Sequence, residues 1–326
     1  MSFESPHLSD PSQERNKHFE NFISQELPRQ HQRCTESLRH IGLLEVIPAG
    51  DDTMNGLVFE IQEGITAFNG EQFALPSPEA IAKYWKQHQE VIAPKLEQGF
   101  TRLYIVPFGY PLNLIIEKTK AVIIDHAQRG KLLAADGTKL DCDLENPLNA
   151  WEDLKGSDES GDLVYNVTKF DQTHHEGKTK QEILTDHTEP FPGFHVLLLP
   201  QNLIIPRQGN GETTGNRKAL ETNKNPHEYL KTIQTDPPYA HETGMTPEDD
   251  LTLMALHLHE TNTVINDYQD NKTAINFLTG SYHKKSGYVP NLLWDRGDRR
   301  AYLYGRVPSN RNGGFGCRPA VGRIKT

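Results

Sequence analysis

His257 and His259, with Glu260 next to them, supply imidazoles and a carboxylate of the kind that bind zinc. They fall in a helical pattern, where positions i and i+2 diverge; rings that share a metal sit at i and i+4. The pair therefore reads as two separate histidines, and His174-His175, in a polar turn-rich run, reads the same way. Residues 204–218 (IIPRQGNGETTGNRK) suggest a strand, a glycine loop and a helix, an order that suits phosphate cradling. The loop lacks the Gly-Lys-Ser/Thr ending and the glycine spacing of either nucleotide fingerprint, so it reads as a surface loop. Asp249 and Asp250 follow a cap at Thr246-Pro247, where first-turn acids meet the helix dipole. No Ser/His/Asp arrangement can be argued from spacing. The three cysteines, Cys34, Cys142 and Cys317, are odd in number and far apart, which excludes a disulfide framework and zinc spacing and points to a reducing compartment.

The strongest signal is compositional. Residues 286–324 contain no Lys, Glu, Gln or Met, although those types make up about a fifth of the chain. The bases there are Arg296, Arg299, Arg300, Arg306, Arg311, Arg318 and Arg323, and the acids are Asp295 and Asp298. Tyr, Asn, Ser, Gly, Leu and Val fill the rest around Trp294 and Phe315. This is close to the palette of an antibody paratope: Tyr gives amphipathic contact area, Arg a planar fork of donors, and Ser, Gly and Asn adapt. The alternative is nucleic-acid binding, since residues 286–326 carry seven Arg and one Lys against two Asp, a net of +6 in a chain of net −10, which leaves −16 on the remainder. Scarce lysine, interleaved acids and the lack of a known motif weigh against it.

A resemblance enters at these residues. The run Trp294-Asp295-Arg296-Gly297-Asp298-Arg299-Arg300-Ala301-Tyr302-Leu303-Tyr304, then Arg311 and Phe315-Gly316-Cys317-Arg318-Pro319-Ala320-Val321, resembles the end of C-type-lectin-fold proteins of the formylglycine-generating-enzyme type. More narrowly it is similar to the variable proteins of diversity-generating retroelements, and the likeness covers about the last 130 residues. In that family adenine-directed mutagenesis rewrites asparagine-type codons, which never yield Lys, Glu, Gln, Met or Trp. The resemblance implies a fixed framework at Trp294, Arg300, Ala301, Leu303, Gly316, Arg318, Ala320 and Val321, with Trp294 and Phe315 buried and Arg318 bonded to backbone. It implies a binding surface at Asn291, Leu293, Asp295, Gly297, Asp298, Tyr302, Tyr304, Gly305, Arg306, Val307, Ser309, Asn312, Gly313 and Cys317. The partner would be a protein or other macromolecule, with no cofactor and no catalysis. Oxidase activity of the formylglycine-generating type needs paired thiols, and Cys317 is alone in its region. Calcium suits the fold, but no dense acidic loop demands it. Gly314-Phe315-Gly316-Cys317-Arg318 is longer than the Gly-Phe-Arg of many relatives, which shifts the register of the last strand by a residue or two.

The elements that must hold such a surface can be read coarsely. Hydrophobic residues make up 35% and charged residues 24%, a soluble globular composition. The apolar runs at 103–108 and 196–199 are strand-sized, no membrane segment is evident, and the polar start lacks a signal peptide, so a cytoplasmic location is the default, with surface or virion display through partners left open. A loose tail is expected over 1–10, helix over 12–41 interrupted near Pro28, and strands at 56–62 and 72–75. A helix capped by Ser77, a strand at 101–108 and a helix at 112–129 follow. Residues 132–190 are turn-rich; a strand at 194–199 and two helices come next, the second from Thr246 to about Glu260, then short aromatic strands. The expected fold is α+β: a mixed N-terminal domain of unknown role over 1–145, then a C-type-lectin-like domain over 146–326 whose variable region is about 286–324.

Overall fold

The computed structural model describes residues 11–48, 61–267, 269 and 273–324; the tail expected over 1–10 and residues 56–60 of an expected strand lie outside the described residues. The N-terminal stretch forms α1 (Pro11–Asn21) and α2 (Leu27–His40), joined by a π-helical turn over Phe22–Glu26. Pro28 follows directly on the π-helical turn within one continuous helical run, so its missing N–H falls where the turn is already widened, and the expected interruption is a widened turn. A small antiparallel meander follows: β1 (Glu45–Pro48), β2 (Ile61–Thr66) and β3 (Gln72–Ala74). Ser77 caps α3 (Pro78–Gln87), accepting from the Ala80 N–H; α4 (Gln89–Glu97) comes directly after it, and the apolar pattern does not announce it. The expected strand and helix appear as β4 (Phe100–Val106) and α5 (Leu112–Gln128).

The turn-rich middle holds only short pieces: β5 (Leu148–Ala150), α6 (Ser157–Ser160), β6 (Leu163–Tyr165) and α7 (Lys180–Leu184). Then come β7 (His195–Pro200), the tiny hairpin β8 (Thr213–Thr214) and β9 (Arg217–Lys218), α8 (Pro226–Thr235), β10 (Glu242–Gly244) and α9 (Pro247–Thr261). The C-terminal run is β11 (Ile275–Phe277), β12 (Ser281–His283), β13 (Val289–Asp295), β14 (Arg300–Arg306), β15 (Phe315–Gly316) and β16 (Pro319–Val321). The chain is α+β.

Two sheets position the C-terminal segment. One is antiparallel, in the order β10-β16-β7-β4; the other is mixed, in the order β15-β11-β13-β14-β5. Between them runs α9, apolar around most of its circumference: Leu251, Leu253, Met254, Ala255, Leu256 and Leu258 are all buried. A helix of this kind belongs inside a molecule. Its ends are fixed by sequence, with a capping box at Thr246 and Asp249 and a left-handed Asn262 after the last turn.

The division expected near residue 145 does not separate two cores. β4, from the first part, pairs along its length with β7, and α5 packs on α9. Side chains of α2, β4, α5, β7, α9, β13, β14 and β16 share one apolar cluster. The composition shift there marks a loop-rich crossing between the sheets, since β5 leaves it to pair with β14.

Candidate ligand-binding surface

The β13–β14 hairpin pairs in register from Val289↔Arg306 to Asp295↔Arg300. Strand alternation sends Leu292, Trp294, Ala301 and Leu303 to the main core and Leu293, Tyr302 and Tyr304 to the opposite face. That opposite face is covered in part by Tyr229 and Ile233 of α8 and by Leu220, and it also takes in Phe277, Phe315 and Cys317.

The framework positions are held firmly. Trp294 is fully buried, and Phe315 is buried beside Phe277 with ring centroids 4.8 Å apart. Arg318 is buried and donates from Nε to the Leu203 carbonyl (2.9 Å), from Nη1 to Asp250 (2.8 Å) and from Nη2 to Asn266 (2.9 Å). It belongs to a larger arrangement at the start of α9. Glu248, Asp249 and Asp250 are all fully buried, and each faces its own basic partner: Glu248 has Lys180 at 2.9 Å, Asp249 has the His195 imidazole at 2.7 Å and Arg323 at 3.2 Å, and Asp250 has Arg318 at 2.8 Å. Asp250 is pushed up by burial, against which Arg318 works; the His195 and Arg323 partners outweigh burial at Asp249 and hold it down at about 2. The sequence offered a helix dipole for these acids and gave no sign of their distant cations.

The expected surface residues divide into three sets. Asn291, Leu293, Tyr302 and Cys317 are buried and are corrected to interior positions. Leu293, Tyr302 and Cys317 lie in the cluster under α8, which the strand pattern alone does not reveal because α8 is remote in sequence. Burial pushes the Cys317 thiol up to about 12, so it is inert. Asp295, Gly297 and Asp298 form the hairpin turn. Asp295 Oδ1 accepts the N–H groups of Gly297 (2.8 Å) and Asp298 (3.1 Å), and Asp298 accepts the Tyr302 hydroxyl. Arg306, Val307, Ser309, Asn312 and Gly313 lie exposed at the other end of β14, about 20 Å away at strand rise. Tyr304 is half-buried between the two ends, stacked on Tyr302 at 4.7 Å, and its hydroxyl accepts from Asn149 at 3.4 Å.

The glycines among them differ sharply. A Cβ on Gly305 would lie 2.6 Å from the Trp151 ring, so this position is closed to other residues and is corrected to framework. A Cβ on Gly313 meets nothing within 4 Å, and on Gly297 it meets Asp295 Oδ1 at 3.1 Å; neither residue has positive φ. The Gly313 backbone accepts a side chain, whereas one at Gly297 would press on the Asp295 oxygen that holds the turn.

Five of the seven arginines in the segment are already engaged with carboxylates: Arg296 with Asp267, Arg300 with Asp143, Arg311 with Glu228, Arg318 with Asp250 and Arg323 with Asp249. This weakens the nucleic-acid alternative, because a phosphate backbone would have to compete for them. Among the described residues Arg299 and Arg306 have no carboxylate within ion-pair reach.

The other chemical candidates resolve as follows. His257 lines a cavity with Arg102 and Ile205, while His259 stacks on His40 at 4.6 Å in a different cavity, so the two rings part as the i, i+2 spacing predicts. The glycine loop does not lead into a helix; it folds back as β8–β9, where buried Arg217 pairs with Glu242 at 2.7 Å. Compared with family models, with curated proteins and with solved structures, the chain matches none.

Proposed function

We propose that the chain is a ligand-binding protein whose C-terminal segment is a diversified display surface on a C-type-lectin-like scaffold, with residues 304–313 as the centre of the surface and the turn at 295–299 as a second contact. The observation that carries this reading is the contrast inside one segment of unusual composition. Trp294, Ala301, Leu303 and Arg318 are buried or bonded into the core, while Arg306, Val307, Ser309 and Gly313 project from the end of β14. Side chains in the second group can change without altering what holds the fold. Val307 is 43 % exposed beside Arg306, an apolar and cationic pairing suited to a macromolecular partner. The short strands and the return of β16 between β10 and β7 are compatible with the lectin-type scaffold.

The test is to sequence many natural copies of the locus and read codons 286–324. Substitutions confined to positions such as Arg306, Val307, Ser309, Asn312 and Gly313, with Trp294, Gly305 and Arg318 constant, support the reading. Uniform codons through the segment overturn it.

A further inference from the structure

A cavity of about 260 Å³ opens between β4, the loop after β7, the last turns of α9 and the chain over 263–274, and it shares no residue with the surface proposed above. Most of its wall is apolar. Leu203, Ile205, Val264, Ile265 and Ala274 are buried there, and Ile204, 42 % exposed, carries the wall out to the surface. The polar groups set into this wall are already engaged. Arg318 spends Nε, Nη1 and Nη2 on Leu203, Asp250 and Asn266, and Asn266 donates in turn to Asp250 at 2.8 Å. His257 Nε2 lies 2.9 Å from the Thr263 hydroxyl and its Nδ1 is buried, so neither ring nitrogen is open to the cavity.

What stays open is a set of donors at the rim. Half-buried Arg102 donates from Nη2 to the Tyr104 hydroxyl at 3.2 Å, and its Nε and Nη1 have no partner among the described residues. Gln201 Oε1 accepts from Thr101 at 2.9 Å and Asn202 Oδ1 accepts the Ile204 N–H at 3.0 Å, which leaves both amide NH2 groups to donate. No carboxylate lines the cavity among the described residues. The acids of adjoining chain are engaged elsewhere: Asp250 with Arg318 at 2.8 Å, Glu260 with Arg33 at 3.6 Å and Asp136 with Arg296 at 3.9 Å. Burial, and after it the Arg102 and Arg318 charges, hold His257 down at about 4, so its ring is neutral at pH 7 and the field that reaches it is positive. A guanidinium with donors to spare beside an apolar wall is the complement of an anionic head on a hydrocarbon chain. The space is smaller than the ~300–1,000 Å³ of drug-sized sites, so the chain must be short.

We propose that this cavity is a second binding site, taking a short aliphatic carboxylate whose head meets Arg102 and the Gln201 and Asn202 amides and whose chain lies against Leu203, Ile205, Val264 and Ile265. The experiment is a titration of the full chain, labelled with ¹⁵N at histidine, at pH 7.5 and constant ionic strength. The ligands are n-hexanoate, acetate as the head without a chain, and n-hexylammonium as the chain with the opposite charge. The expected result is saturable binding of hexanoate that moves the His257 resonances, acetate weaker by about tenfold or more, and no saturable response to hexylammonium. Arg102→Gln, a change at the rim that leaves the Arg318 and His257 contacts intact, should weaken hexanoate by about tenfold or more. If that variant fails to fold, the three ligands on the unaltered chain decide. Hexylammonium binding as tightly as hexanoate, acetate matching it, a hexanoate response that leaves His257 unmoved, no saturable response at all, or hexanoate binding unchanged in Arg102→Gln would each overturn the proposal.

Discussion

Asn291 is fully buried on β13, opposite Tyr304 and Phe277, and neither end of its amide has a hydrogen-bond partner. Burying an amide in that condition costs about 1–3 kcal/mol. Asn291→Leu, of similar shape, is therefore expected to stabilise the protein by about that amount, seen as a higher urea midpoint with an unchanged slope; a lower midpoint would mean that the amide has a partner in solution. His257 is a second case. Its Nε2 lies 2.9 Å from the Thr263 hydroxyl, its Nδ1 is buried without a partner, and burial with the nearby Arg102 and Arg318 charges lowers it to about 4. The unfolded chain takes up this proton near pH 6.5 and the folded chain only near 4. Stability from this group is thus complete above 6.5 and falls by about 3 kcal/mol as pH drops to 4. Urea titrations across that range should show the loss, and His257→Phe should flatten it; an equal slope in the variant would assign the loss elsewhere. Neither feature was legible beforehand, because a sequence shows that a residue is polar without showing whether its partner is present.

At the scale of elements, the first turn of α9 gathers chain from far apart. Lys180 Nζ lies 2.6 Å from Asp158 and 2.9 Å from Glu248, donates to the Tyr110 carbonyl at 2.8 Å, and is completely buried; the Tyr165 hydroxyl donates to Glu248 at 2.6 Å. Replacing Lys180 with Met would leave two buried carboxylates without a cation, a change worth about 3–5 kcal/mol. The exposed pair of Arg311 with Glu228 provides the control: Arg311→Ala should cost under about 1 kcal/mol in the same chemical denaturation. Comparable losses in the two variants would show that the α9 turn is wetter than its burial suggests. The cap, the length and the apolar rows of α9 were legible from residues 246–260, as were α5, β4 and β7, since each rests on local pattern. What escaped was α4, hidden by Pro94 and a broken stripe, and the pairing of α9 with distant cations, which no local pattern encodes.

For the whole molecule, β4 joining β7 and the shared cluster around α9 predict one cooperative transition on heating. Two resolved transitions would restore a boundary near residue 145. The same architecture predicts uneven tolerance. A combined change at Arg306, Val307, Ser309 and Gly313 should move the melting temperature by no more than about 3 °C, since exposed substitutions lie within about 0.5 kcal/mol each. Gly305→Val should prevent accumulation of folded protein, because its side chain would enter the Trp151 ring. The unusual alphabet of residues 286–324 singles out a segment, yet it cannot separate Tyr302 from Arg306. That distinction depends on α8 and Trp151, which arrive from elsewhere in the chain.

The order of synthesis gives the α9 turn one more meaning. Arg318 follows Asp250 by 68 residues, and Arg323 follows Asp249 by 74. At translation rates of 5–20 residues per second, two of the three carboxylates wait roughly 4–15 s for their cations. Until then the apolar helix that both sheets enclose cannot be sealed, so the nascent chain must be shielded or stay loosely collapsed through that interval. A copy interrupted inside residues 286–317, by a frameshift or an early stop, would never receive those arginines. It would go to proteases with the carboxylates of the α9 turn still unpaired, so that only messages read through to the end yield folded protein.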